Sequence, residues 1–321
     1  MEHARSLPPP HAPAPSRWKR WLGRFYISGV FWYRFHHFGV RVLPEWAMGP
    51  LLCCFTAFFF LTLRRIRRAI ASNLEAVLGP CGRLERERRI FRTLHQFAWC
   101  LSERYEQFGT GKRIESALEG VEHWKVLEER GGGFIVVTAH VGPWEAGAAV
   151  PGALRGRTVH LVREEEMDPA AQRFIEGLVA RGDGPPLRTH FASADPLLGV
   201  RLLEALRSGD VVALQGDRPR ADGGTVEAPF LGRTLAFPVG PAALARAAGV
   251  PLVPVFVFRE GRLRSRVELR APIVVRATGD RDADVTEATR RLAGEVERAV
   301  RVAPHQWFCF APLWAGPGSR A

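Results

Sequence analysis

The chain has 321 residues, 46% of them apolar, with a formal net charge of +12 and a pI near 10.6. This is enough for one large α/β domain or two small ones, and it excludes a disordered chain. The five cysteines (Cys53, Cys54, Cys81, Cys100 and Cys309) are odd in number, scattered and without a C-x-x-C pair, which argues against a disulfide framework or a zinc site and for a reducing environment.

The positive charge is nearly all arginine, since lysine occurs only at 19, 112 and 125. Such an excess suits a polyanion: nucleic acid, an anionic membrane face or a phosphorylated lipid. Residues 1–16 read as a Pro- and Ala-rich tail. Residues 17–41 interleave aromatic rings with Arg and His, as at the interface between lipid and water. Trp46 to Leu63 then runs 18 residues without a charge, interrupted by Pro50. That is at the short end for crossing a hydrocarbon core of about 30 Å. Arg64, Arg65, Arg67 and Arg68 follow at once. Residues 17–68 are therefore expected to dock on or cross an anionic membrane, and aromatic-basic residues beside an apolar run suit lipid better than nucleic acid as the partner.

A helical connector is expected over 69–114, with helices 64–79 and 82–108 parted by Gly79-Pro80. From about residue 115 to 321 the rhythm becomes that of an α/β domain. Apolar runs predict buried strands at 134–139, 158–162, 211–215 and 251–258. Helical stretches at 143–154, 168–181, 195–208 and 239–248 alternate with them. That alternation implies a mostly parallel central sheet flanked by helices. Residues 264–270 read as an antiparallel edge strand and 284–302 as an amphipathic helix.

His140 follows the strand ending at Ala139, at the tip where open α/β sheets bind ligands. Gly142-Pro143 turns the chain into a helix whose first turn holds Glu145. The spacing brings imidazole and carboxylate together, with His140 as general base and Glu145 as its orienter. No G-x-S-x-G elbow or neighbouring cysteine is present, so the nucleophile is expected on a substrate hydroxyl. Backbone N–H groups near residue 143, or Arg163 at the next strand end, are candidate oxyanion donors. Asp217 and Arg218 follow the 211–215 strand and are expected, with Arg163, to hold substrate. The aromatic segment 305–314 either roofs an acyl groove or covers the sheet.

Six segments together resemble the lipid A biosynthesis acyltransferase family, within the lysophospholipid acyltransferase superfamily. They are RRIRRAIASNLEAVLG (64–79), VEHWKVLEERGGGFIVVTAHVGPWE (121–145), VHLVREEE (159–166), LQGDRP (214–219), GVPLVPVF (249–256) and PHQWFCFAPLW (304–314). On them His140 and Glu145 fall on the H-x4-D/E positions, Arg163 on the arginine of the second block and Asp217 on the acidic position of the third. The resemblance implies transfer of a fatty acyl chain from a thioester of acyl carrier protein or coenzyme A to a hydroxyl of a membrane lipid or glycolipid. It also implies an inner-membrane location and no metal or organic cofactor; the arginines at 64–68 would place the catalytic domain on the cytoplasmic face. Gln215-Gly216-Asp217-Arg218 departs from the Asp-Gln-Asp type common among lipid A enzymes, so a phosphatidylinositol mannoside, an aminolipid or a lysophospholipid stays open as acceptor beside a lipid A precursor.

Overall fold

The computed structural model describes residues 30–144, 156–164, 187–191, 195–219 and 223–314, with a few positions between 168 and 177. Four helices come first: α1 (Val30–Val42), α2 (Glu45–Thr62), α3 (Arg64–Leu78) and α4 (Arg83–Thr110). The helix α2 runs past Pro50 unbroken, because a proline this close to the N-terminus removes only one interior backbone bond. The domain boundary expected at residue 68 falls inside α3.

The remaining chain alternates strands and helices: β1 (Glu115–Glu119), α5 (Val121–Arg130), β2 (Phe134–Thr138), β3 (Val159–Arg163), β4 (Leu187–Phe191), α6 (Leu198–Arg207) and β5 (Val211–Gln215). A two-stranded hairpin, β6 (Thr225–Phe230) and β7 (Arg233–Pro238), precedes α7 (Gly240–Ala248), β8 (Leu252–Gly261), β9 (Arg264–Leu269) and α8 (Arg281–Val302). The seven-stranded sheet has the order β1-β9-β8-β2-β5-β3-β4. Five neighbours, β8 to β4, run parallel, as expected.

The sheet is buried on both faces, which is why its central strands are continuous apolar runs. One face packs Val136, Val211, Val253 and Val255 beneath Trp124 and Leu127 of α5. The other packs Ile135, Val137, Val212 and Leu252 beneath α6, α7 and α8.

The strand 264–269 is not the edge. It pairs antiparallel with β8, and β1 covers its far side in parallel register, Glu115 against Arg264. All five residues of β1 are exposed. Its polar side chains carry no apolar alternation, so it leaves no strand signal. The opposite edge, β4, is equally polar. Short, charged edges of this kind resist further strand addition. Of the expected helices, 143–154 lies outside the described residues beyond Trp144, and 168–181 lies largely outside them.

The helix α4 is fastened to the α/β domain by buried ion pairs. Both oxygens of Glu103 accept from Arg259 Nε at 3.1 and 3.0 Å, and Glu103 also accepts from the backbone N–H of Leu263. Glu106, also buried, pairs with Arg262.

Candidate active site

Strand register builds the site. In the β2–β5 pair, Thr138 stands opposite Gln215. His140 and Asp217 each lie two residues beyond these partners, so they leave the sheet side by side. Asp217 Oδ1 accepts from His140 Nδ1 at 2.8 Å, and Asp217 Oδ2 accepts from the His140 backbone N–H at 3.1 Å. Gly216 permits the approach: a Cβ there would lie 2.6 Å from Val137 Cγ1.

Asp217 is 6% exposed. Burial by itself would raise its carboxyl. The adjacent His140 imidazole, the hydrogen bonds from it and the Arg218 guanidinium outweigh burial and hold the group below its ordinary range. An ionised Asp217 can only accept, so Nδ1 carries the proton and Nε2 keeps a lone pair. Among the described residues Nε2 has no hydrogen-bond partner.

Asp217, expected at the substrate, hydrogen-bonds His140. Glu145, the expected orienter, lies outside the described residues, and the carboxylate seen at Nδ1 is that of Asp217, 77 positions on.

The loop after His140 is held by the closing segment. Gly142, at φ +59°, donates its N–H to Gln306 O at 2.8 Å, and Phe308 N–H donates to His140 O at 2.8 Å. A Cβ on Gly142 would lie 2.0 Å from Val257 O, so only glycine fits. The Gln306 side chain clamps Arg259 of β8, accepting from its N–H and donating to its carbonyl. Arg218 donates to Phe308 O at 2.6 Å. On the far side, buried Asn73 of α3 donates to the carbonyls of Cys309 and Ala311 and accepts from the N–H of Leu313. Thus 304–314 neither roofs a groove nor merely covers the sheet: it pins the catalytic loop.

The backbone N–H groups of Val141, Gly142 and Trp144 all have carbonyl partners. They do not form an oxyanion hole. Arg163, at the end of β3, lines the same cavity as His140, as does Arg218. This cavity has a volume of about 600 Å³. Its lining is polar at Thr138, His140, Arg163 and Gln215 and apolar along Val136, Leu161, Ala213 and Val255. The ring of Trp144 tilts against His140 at 5.1 Å between centroids and reaches Phe308 at 6.2 Å. Among the described residues no three His, Cys, Asp or Glu side chains converge to hold a metal ion.

A histidine held by a buried carboxylate in a cavity with an apolar wall suits transfer of a hydrocarbon-bearing group. The sequence model of bacterial lipid A biosynthesis acyltransferases matches residues 14–315. The chain belongs to that family. This acyltransferase is similar to the phosphatidylinositol mannoside acyltransferases of two Mycobacterium tuberculosis strains, CDC 1551 / Oshkosh and H37Rv. Identity is 25% over 294 residues, covering 86% of this chain and 85% of each relative. Among solved structures it matches the 1-acyl-sn-glycerophosphate acyltransferase PlsC of Thermotoga maritima, at a TM-score of 0.38 and 16% identity, over 78% of this chain and 95% of that one. The family shows the chain to be an acyltransferase.

Proposed function

We propose that this enzyme moves a fatty acyl chain from a thioester donor, acyl carrier protein or coenzyme A, to a hydroxyl of a membrane glycolipid. His140 is the general base and Asp217 its orienter. The observation that carries the reading is His140, its Nδ1 engaged by buried Asp217, in the lining of a cavity with a largely apolar wall.

The acceptor hydroxyl gives its proton to Nε2 as its oxygen attacks the thioester carbonyl. Asp217 stabilises the imidazolium that forms. The negative charge gathering on the carbonyl oxygen faces the guanidinium of Arg163, with Arg218 on the acceptor's polar head. As the tetrahedral intermediate collapses, the C–S bond breaks and the imidazolium returns its proton to the departing thiolate. No redox step and no metal enters this balance. The acyl tail lies along Val136, Leu161 and Ala213.

For the acceptor, the name of the mycobacterial relatives supports a phosphatidylinositol mannoside, and the family name supports a lipid A precursor. The Gln215-Gly216-Asp217 block departs from the Asp-Gln-Asp type of lipid A enzymes, which keeps both acceptors open. The reading places the enzyme on the cytoplasmic face of the bacterial inner membrane. The apolar helix α2, the adjoining arginines and the unpaired cysteines support that location. Lipid mass spectrometry of cells with and without the gene tests the reading. A glycolipid lighter by one acyl group is expected without it, restored by the wild-type gene and not by His140→Ala. An unchanged lipid profile would count against it.

A further inference from the structure

Among the described residues one helix, α2, is long and apolar enough to cross a bilayer, yet its contacts oppose crossing. Met48, Leu52 and Thr56 are its buried face. At its start Glu45 pairs with Lys112, just past the end of α4, at 2.7 Å. In its middle Thr56 Oγ1 meets His95 Nδ1 of α4 at 3.2 Å. Near its end Phe60 meets the ring of Phe91 at 5.8 Å. The helix therefore lies along α4 for nearly its whole length. On its other side α4 is locked to the catalytic domain by Glu103–Arg259 and by Phe97, which touches Phe308 and Phe310. For α2 to stand across a bilayer, this charged 28-residue helix and the domain behind it would enter the hydrocarbon too. The desolvation cost forbids that.

The outer face has the opposite character. On α1, Phe31, Phe35, Phe38 and Val42 are exposed at helical spacing. On α2, Trp46, Phe58 and Leu61 are exposed, Trp46 by 81%. Phe35 touches Phe55 at 6.4 Å, so the two stripes adjoin in one patch. Arg34 and Arg41 on α1 and Arg64, Arg65 and Arg68 on α3 are exposed around it. A broad apolar patch rimmed by arginines is complementary to acyl chains beneath anionic headgroups.

We infer that the α1–α2 hairpin lies flat in one leaflet of an anionic bilayer, with both ends of α2 on the same side, and does not span it. This rests on the membrane location proposed above and is independent of the acyl chemistry. The test replaces the exposed Cys53, Cys54 and Cys81 with serine, leaves the buried Cys100 and Cys309, and adds one reporter, Pro44→Cys or Arg65→Cys. A membrane-impermeant maleimide is applied to spheroplasts and to inverted inner-membrane vesicles, with a melting curve of each variant as the folding control. Both reporters should label in the same preparation. Labelling of the two in opposite preparations would overturn flat seating while sparing membrane attachment. In parallel, the unsubstituted protein is sedimented with vesicles of phosphatidylglycerol or of phosphatidylcholine. Binding should favour phosphatidylglycerol, weaken about five-fold for each of Arg65→Gln and Arg68→Gln, and fall for Trp46→Asp. Absence of binding to either vesicle would overturn both the location and the seating.

Discussion

The sheet carries a His–Asp pair at each end, and they differ in one nitrogen. At the C-terminal edge, His140 gives Nδ1 to Asp217 and keeps Nε2 toward the cavity. Near the N-terminal edge, His160 gives Nδ1 to His190 at 2.9 Å and Nε2 to Asp210 at 3.2 Å. The rings of His160 and His190 stack with 9° between planes. Burial, then the neighbouring His160, pushes the His190 imidazole down, favouring its neutral form. Asp210 also accepts the N–H of Thr158, so it serves to join strands. A histidine beside a carboxylate is therefore not yet a base. A ring nitrogen left over, facing a space a substrate can enter, makes it one.

Removing each histidine in turn is the sharpest way to break this comparison. His140→Ala should lower kcat by about 10²–10⁴ with vesicle binding near wild type, and should lower the melting temperature as buried Asp217 loses its imidazole, though Asp217 keeps the backbone N–H of residue 140. His160→Asn should leave kcat within a few-fold and lower the melting temperature, because Asp210 and His190 each lose a buried partner. Turnover and thermal denaturation of the two variants check both statements.

Asp217→Asn comes next. The amide can accept at Nδ1 but cannot stabilise the imidazolium electrostatically, so a loss of kcat of about 10² or more is expected with little change in KM. It should also alter acid stability. The carboxyl of Asp217 is held low in the folded chain, so its stabilisation is complete above the ordinary carboxylate range. That contribution is lost as pH falls toward and through the lowered native value. The variant should lack this part of the acid-induced loss in denaturant titrations.

A smaller effect is expected at Asn73. Asn73→Ala strands two carbonyls and one N–H of the closing segment, at a cost of about 1–3 kcal/mol. Melting curves should show it, together with a modest fall in kcat as the loop behind His140 loosens. Smaller still in rate, Ala213→Phe should shorten the preferred acyl chain with little loss of turnover on short donors, read by competition between donors of different length.

These differences also mark what the sequence made legible. The central strands were, because burial on both faces demands apolar, β-branched runs such as FIVVT and VVALQ. The edge strands were not, because ESALE faces water and LRTHF is only half-buried, and neither keeps such a pattern. His140 stood out by its place after a buried strand. Its contact with Asp217 was not legible, because strand order is not written in local spacing: β5 follows β2 by some seventy residues yet lies beside it. The closing segment escaped for a related reason. Its aromatic residues suggested a cover, whereas its work is done by backbone groups reaching His140, Gly142 and Asn73. Asn73 itself, polar and in an Arg-rich helix, carried no sign of the three bonds it makes.

The most direct test of the catalytic assignment is a single-turnover acyl transfer assay with purified wild-type, His140→Ala and His160→Asn proteins. A labelled acyl thioester and a membrane glycolipid extract are supplied, and product is read by mass spectrometry. Wild type and His160→Asn should each add one acyl group to the acceptor at comparable rates, and His140→Ala should add none above background. Product formation by His140→Ala at the wild-type rate would contradict the account.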